Sequence, residues 1–201
     1  MKGSEEWDQR YCNIRCAYGF KPNDYLKTKL STLTPGSLLL PGEGEGRNAL
    51  WAAQQGWNVT AFDYSTQAHK KAQTLFRNKG VNVTYSVTDV LDFKTSNRFD
   101  AIGLIYIHLP SETRKIFYKK IHAFLKPNGY IILENFHPEQ IPRNSGGPKN
   151  PDLLYSIEEL KNSFGKLKII ALNKVEVNLD EGQLHQGNAM VIRMLAQNTL
   201  Q

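Results

Sequence analysis

The sequence predicts an α/β fold: a seven-stranded, mostly parallel sheet with helices on both faces and a C-terminal antiparallel hairpin. Three observations predict it. Between Leu38 and Glu134, short apolar runs alternate with stretches of helical period, the pattern of parallel strands joined by crossover helices. After Glu134 the rhythm breaks, and two strand-like runs near 168–178 and 189–196 follow with no helix between them, so they should pair antiparallel. The chain has 201 residues, 40% hydrophobic and 22% charged. A chain of that size buries roughly 70% of its unfolded surface and needs no disulfide or metal staple.

The elements follow in order. Residues 1–34 read as two helical pieces, a lid segment ahead of a core at 35–201, all in one domain. The second piece starts at Asn23, an N-cap after Pro22, carries Leu26, Leu30 and Leu33 on one face, and stops at Thr34-Pro35-Gly36. Leu38-Leu39-Leu40 is a short buried strand ending at Pro41-Gly42. A helix over 47–55 is closed by Gly56, a second strand covers 58–62, and a helix over 65–78 stops at Gly80. Residues 81–87 alternate as a third strand, and 99–107 form a fourth. A helix spans 111–125, Lys126-Pro127-Asn128-Gly129 turns, and 130–134 is the fifth strand. Residues 136–151, rich in Pro, Gly and Asn, form a long loop over the sheet. Ser156-Ile157-Glu158-Glu159 is a capping box that starts a last helix. A polar turn containing Glu181-Gly182 joins the final two strands.

Composition excludes several classes. The start, Met1 to Trp7, carries charges and no apolar h-region, so it does not read as a secretion signal. The longest apolar run, 101–109, contains His108 and is too short to cross a bilayer. A cytoplasmic protein is the default expectation. Cys12 and Cys16 are the only cysteines; a helical pair four apart suits a disulfide poorly, and one pair alone is a weak metal signal. They read as reduced thiols, and no metal site is expected. The net charge of +6 raises the question of nucleic acid. Lys70-Lys71, Lys119-Lys120, Lys161, Lys166 and Lys168 are scattered over different elements, with no interleaved aromatic residues. This is a solvated basic surface, able to steer an anionic small molecule, rather than a nucleic-acid platform.

The informative stretch is Leu38 to Arg47, LLLPGEGEGR. A glycine-rich turn between a first strand and a helix lets a ligand approach the backbone closely. Asp63 closes the second strand about twenty residues on, where a carboxylate can accept both ribose hydroxyls of a nucleoside. Tyr64 and Ser65 follow it. The spacing then chooses among nucleoside cofactors. A pyrophosphate binder uses G-x-G-x-x-G, whereas Gly42, Gly44 and Gly46 are followed by Arg47 where that third glycine would fall. Glu43 and Glu45 inside the loop would repel a pyrophosphate. S-adenosylmethionine has no phosphate and carries a cationic ammonium and sulfonium, so the loop favours it. After the third strand, Ser86-Val87-Thr88-Asp89-Val90 puts an acid where an adenine amino group would arrive; a turn aspartate is the competing structural reading.

The order LLLPGEGEGRNALWAAQQGWNVTAFDYS, then VTDV, then FDAIGLIYIHLP, then FLKPNGYIILE resembles the class I S-adenosylmethionine-dependent methyltransferases over nearly the whole chain. Within them it is similar to the small tellurite-resistance and thiopurine-methyltransferase-like group. Trp7 to Tyr11, Tyr18-Gly19, and Gly182 to His185 carry that closer likeness. The resemblance implies a Rossmann-like core in which Gly42, Gly44 and Gly46 line the methionine moiety, Asp63 holds the ribose, and Asp89 with Val90 holds the adenine. Glu43, Arg47, Tyr64, Ser65 and Ile105 complete the expected donor site, and S-adenosylhomocysteine is the expected product. Many relatives place an acid near the end of the first strand, where this chain has Leu40-Pro41; Glu43 and Glu45 are the candidates to replace it.

Methyl transfer is a displacement at carbon from a good leaving group, so the protein chiefly aligns the partners and excludes water. Candidates for further chemistry are residues at the carboxyl ends of the strands. His108 and His185 are the candidate bases. Arg10, Tyr11 and Tyr18 could close over the donor as a lid, and Phe136 could wall the acceptor pocket. The expected function is methyl transfer to a small molecule, a thiol or a chalcogen oxyanion. A nicotinamide-dependent oxidoreductase and an RNA-associated binding module are the alternatives.

Overall fold

The computed structural model describes residues 4–13 and 17–199, so Cys16, one of the two thiols weighed above, lies outside the described residues. Cys12 is an exposed free thiol.

Two helices lead the chain, α1 (Ser4–Asn13) and α2 (Asp24–Leu30). Then come β1 (Ser37–Pro41), α3 (Arg47–Gln54), β2 (Asn58–Asp63), α4 (Thr66–Lys79), β3 (Thr84–Val87), β4 (Phe99–Ile105), α5 (Ser111–Phe124) and β5 (Leu125–Phe136). Short 3-10 turns at Pro138–Gln140 and Pro151–Leu153 interrupt the long loop, and α6 (Ile157–Phe164), β6 (Lys168–Asp180) and β7 (Gln186–Gln197) complete the chain. All seven strands form one sheet in the order β3-β2-β1-β4-β5-β7-β6. Strands β3 to β5 pair parallel through β2, β1 and β4, and β7 inserts antiparallel between β5 and β6. The mostly parallel sheet and its closing hairpin are as expected.

Because helices cover both faces, the central strands are apolar on both sides. Leu38 and Leu40 pack with Leu26, Leu30 and Phe76 on the face of α2, α3 and α4. Leu39, Ile102 and Leu133 pack with Phe117, Ile121 and Phe164 on the face of α5 and α6. The local signals work as read: Asn23 Oδ1 accepts from Leu26 N at 2.9 Å at the start of α2, and Ser156 caps α6.

Two local expectations need correction. The third strand begins at Thr84 rather than 81, because Val81 and Val83 pack against the α4 side of the sheet before pairing starts. The turn expected at Lys126 to Gly129 lies inside β5. Pairing with β4 jumps from Phe99–Leu125 to Ala101–Tyr130, and Asn128 takes a left-handed φ of 62°. Its turn chemistry survives as an irregularity because Asn128 N and Asn198 N exchange hydrogen bonds with Asn198 and Gly129 carbonyls.

Candidate active site

Strand β1 is flanked by β2 on one side and β4 on the other, so the connections leave it in opposite directions. At such a reversal, a crevice opens at the carboxyl ends of the strands. There the structure holds a cavity of about 610 Å³, within the size range of small-molecule sites. It is lined by the loops after β1, β2, β3 and β4, and roofed by the lead segment, residues 146–150 and the β6–β7 turn.

On one side the backbone of the glycine loop forms the wall. Gly42, Gly44 and Gly46 have φ of 60°, 66° and 89°, a region that side chains rarely adopt. A Cβ at Gly44 would stand 2.7 Å from the Tyr11 hydroxyl, so only glycine lets α1 close on the loop. Asp63 accepts from Gly44 N at 3.0 Å and Ser65 N at 2.9 Å, which ties the ends of β1 and β2 together. Tyr85 donates to the Gly44 carbonyl at 2.6 Å. Burial raises the Asp63 carboxyl to about 6 despite those hydrogen bonds. Burial likewise raises Glu43 to about 7, against hydrogen bonds from Ala49 N at 2.7 Å and Asn48 Nδ2 at 3.3 Å. Glu43 thus caps α3 from within the loop. Glu45 serves structure: it accepts from Ala17 N at 2.7 Å and pairs with Lys71 at 2.8 Å. Asp89 turns the chain after β3 by accepting from Leu91 N at 2.9 Å, and still lines the cavity with Thr88 and Val90.

The opposite side is aromatic. The His185 ring lies 4.6 Å from Tyr18, 4.8 Å from Tyr106 and 5.2 Å from Phe136, centroid to centroid. Glu181 Oε2 is 3.4 Å from His185 Nδ1 and 2.9 Å from Arg47 Nη2. Burial alone would raise Glu181; the Arg47 guanidinium, with hydrogen bonds from His185 and Arg47, outweighs it and holds the carboxyl at about 2. Burial lowers His185 against the pull of Glu181. Loss of water around His108, with positive neighbours His185, Arg10 and Arg114, lowers it to about 3, so that ring is neutral and a weak base.

Of the residues singled out by sequence, Arg10, Tyr11, Tyr18, Gly42, Glu43, Gly44, Arg47, Asp63, Tyr64, Asp89, Val90, Ile105, His108 and His185 all line this one cavity. Three do not. Gly46 faces α4, where a Cβ would meet Phe76 at 2.7 Å and Ala72 at 2.9 Å, so its role is close helix packing. Ser65 caps α4 by accepting from Ala68 N and donates to Asp8 of α1. Phe136, fully buried, stands one layer back, stacked under Tyr106 and His108, and supports the wall it was expected to form.

Sequence reasoning missed Tyr106, Glu134, Asn23 as a buried hub, and Arg193. Glu134 is 1% exposed and binds Asn23 Nδ2 at 2.5 Å, the Tyr106 hydroxyl at 2.8 Å and Arg193. Tyr106 sits at a φ of 49°, a strained position for a bulky residue, held by its N–H on the Glu134 carbonyl at 2.9 Å. The one legible signal was the polar pair Glu134-Asn135 ending an apolar strand. Among the described residues, no group of three or more metal-ligating side chains could hold an ion, and no helix is long and apolar enough to cross a membrane.

Residues 39–129 match the family model described as a methyltransferase domain. No curated protein sequence matches the chain. Solved structures match the fold. TehB from Haemophilus influenzae superposes with a TM-score of 0.73 at 17% identity, over 86% of this chain and 61% of that one, so this chain spans less than two thirds of TehB. The N-methyltransferase NodS from Bradyrhizobium japonicum WM9, in complex with S-adenosyl-L-homocysteine, gives 0.68 at 16% identity, over 88% and 84%. The [4+2]-cyclase SpnF gives 0.73 at 16%, over 98% and 95%.

Proposed function

We propose that this chain, whose residues 39–129 match a methyltransferase-domain model and whose fold is shared with solved methyltransferases, transfers the methyl group of S-adenosylmethionine to a small molecule. The observation that carries this reading is the single cavity in which the glycine loop, Asp63 and Asp89 face an enclosed aromatic wall. The residues suit the donor. The cavity-lining loop backbone at Gly42 and Gly44, the carboxyls of Glu43, Asp63 and Asp89, and the apolar Val90 and Ile105 match a cationic nucleoside better than a pyrophosphate. The cations at the loop are paired, Arg47 with Glu181 and Lys71 with Glu45.

When bound, the donor supplies an electrophilic methyl on a sulfonium. Asp63 accepts the ribose hydroxyls, Asp89 and the Val90 N–H take the adenine edge, Tyr64 lines the same end, and Gly46 and Ser65 keep the loop and α4 in register. Tyr11 and Arg10 close the lid and exclude water. Tyr18, Tyr106 and His108 shape the acceptor subsite, and His185 is the base. The acceptor is a small thiol or chalcogen oxyanion, a reading supported by the resemblance to the tellurite-resistance and thiopurine-methyltransferase-like group.

The test is transfer of labelled methyl from S-adenosylmethionine to a panel of small thiols, selenite and tellurite, with RNA as a parallel acceptor. Label in a small product supports the proposal. Label only in RNA, or calorimetric binding of NAD(H) with none of S-adenosylhomocysteine, overturns it.

A further inference from the structure

Methyl transfer to an already ionised nucleophile needs no proton acceptor, yet this chain assembles one at considerable cost. Arg47 opens α3, where the helix dipole disfavours a cation, and it is only 7% exposed. Its Nη2 reaches Glu181 Oε2 at 2.9 Å, and Nη1 donates to the Lys21 carbonyl at 3.0 Å. The other Glu181 oxygen accepts from Asn23 Nδ2 at 3.0 Å. Two donors from two different elements therefore fix the carboxylate in front of the imidazole. Buried pairs of this kind contribute little net stability, because desolvation offsets the attraction. What the arrangement does supply is orientation. Tyr18, Tyr106 and Phe136 box in the ring of His185, which is 3% exposed, and the carboxylate faces its Nδ1.

We infer that Glu181, clamped by Arg47 and Asn23, is a positioning residue: it fixes His185 as the tautomer with hydrogen on Nδ1, so that Nε2 is the lone pair this cavity-lining side chain offers to the methyl acceptor. What Nε2 takes rests on the methyltransferase reading; the tautomer does not. The site then selects acceptors that arrive protonated at the nucleophile, with an S–H, O–H or N–H to give. As the acceptor's electron pair forms the bond to the methyl carbon, the carbon–sulfur pair leaves with the neutral thioether. The acceptor proton passes to Nε2, and the imidazolium is balanced by Glu181 until water removes the proton. A fully ionised oxyanion has no hydrogen for Nε2, so a thiol is the better of the two acceptor chemistries. The charged and titratable groups facing His185 come from several elements: the charges of Glu181 in its own turn, Arg47 from α3 and Arg10 from α1, the neutral ring of His108 beyond β4, and the Tyr18 and Tyr106 phenols against the ring.

The test is nitrogen NMR of the full chain labelled on its five histidines, with His185→Gln assigning the resonance, at pH 7.5. The wild type should show Nδ1 protonated and Nε2 bare. The double variant Arg47→Met/Glu181→Leu removes the clamp without leaving a buried charge unpaired, and should shift the tautomer ratio about tenfold or more towards Nε2–H, the loss of a charged hydrogen bond. Glu181→Asp should restore part of the Nδ1–H form. A purely structural pair would lower the melting temperature and leave the ratio alone. A wild type with Nε2–H or a doubly protonated ring, or a double variant with the wild-type ratio, overturns the inference. S-adenosylhomocysteine binding measured on the same samples keeps the two readings apart. Binding with the wrong tautomer removes only the positioning role, and no binding with the right tautomer removes only the donor reading.

Discussion

Replacing Asp63 by Asn tests the donor site most directly. The carboxylate is 5% exposed, and two backbone N–H groups already hold it, Gly44 at 3.0 Å and Ser65 at 2.9 Å. Two ribose hydroxyls donating to an ionised carboxylate are worth about 1.5–3 kcal/mol each. Asn accepts them weakly, so the variant should lose at least about a hundredfold in affinity for S-adenosylhomocysteine, about 3 kcal/mol. The pH dependence gives an independent check. Asp63 sits at about 6 in the free protein because burial disfavours its charge. Hydroxyl donors favour the charged form and lower that value on binding, so ligand binding releases a proton below pH 6. Affinity should therefore be flat from pH 8 to 7 for this group, and weaken about tenfold between pH 7 and 5. Isothermal titration calorimetry from pH 5 to 8 reads both effects. Asp63→Asn should abolish the component centred near 6 and leave any contribution of Glu43 near 7. A variant within threefold of wild type at pH 7.5, or a wild type that binds more tightly at pH 5, would refute the assignment.

Glu43→Gln should change how stability depends on pH. The folded carboxyl, at about 7, lies above the ordinary unfolded value near 4.3, so the folded state holds the extra proton and this residue's contribution is lost as pH rises through 7. The melting temperature of the variant relative to wild type should climb between pH 6 and 8; a constant difference counts against a buried charge there. Gly46→Ala should destabilise the fold by about 2–3 kcal/mol, through left-handed backbone strain and overpacking, since φ is 89° and the new Cβ would meet Phe76 at 2.7 Å. Denaturant titration measures it, and a change below about 0.5 kcal/mol would show that α4 gives way freely.

The residues proposed to hold the donor were legible as one cluster because they are local. Gly42, Glu43 and Gly44 belong to one turn and Arg47 opens the helix after it, while Asp63 ends β2 and Asp89 follows β3 of the same parallel ladder, so strand order alone brings them to one edge. Gly46 was legible as a glycine but not in its role, because what a Cβ would strike is a side chain on α4. Ser65 was read as a ligand contact and proved to be a helix cap, a commoner use of serine after a strand. Phe136 was expected to wall the pocket and lies one layer behind its lining, a depth that depended on Tyr106 adopting a φ that no pattern of residues announces.

What the sequence determined by itself was the order of strands and helices, the closing hairpin and the edge of the sheet where a ligand would sit. Periodicity, caps and glycine spacing act within a few residues and suffice for those features. What only the tertiary structure decided was the partnership of the charged groups. Glu43 and Glu45 read alike in the loop, but one turns inward to cap α3 while the other ties the lead segment to Lys71. Glu181 looked like an ordinary polar turn residue until the hairpin folded back and buried it between Arg47, Asn23 and His185, which lie 134, 158 and 4 residues from it along the chain. Contacts over such separations depend on how layers pack, and a carboxylate's charge state and role follow from which cation packing brings to it.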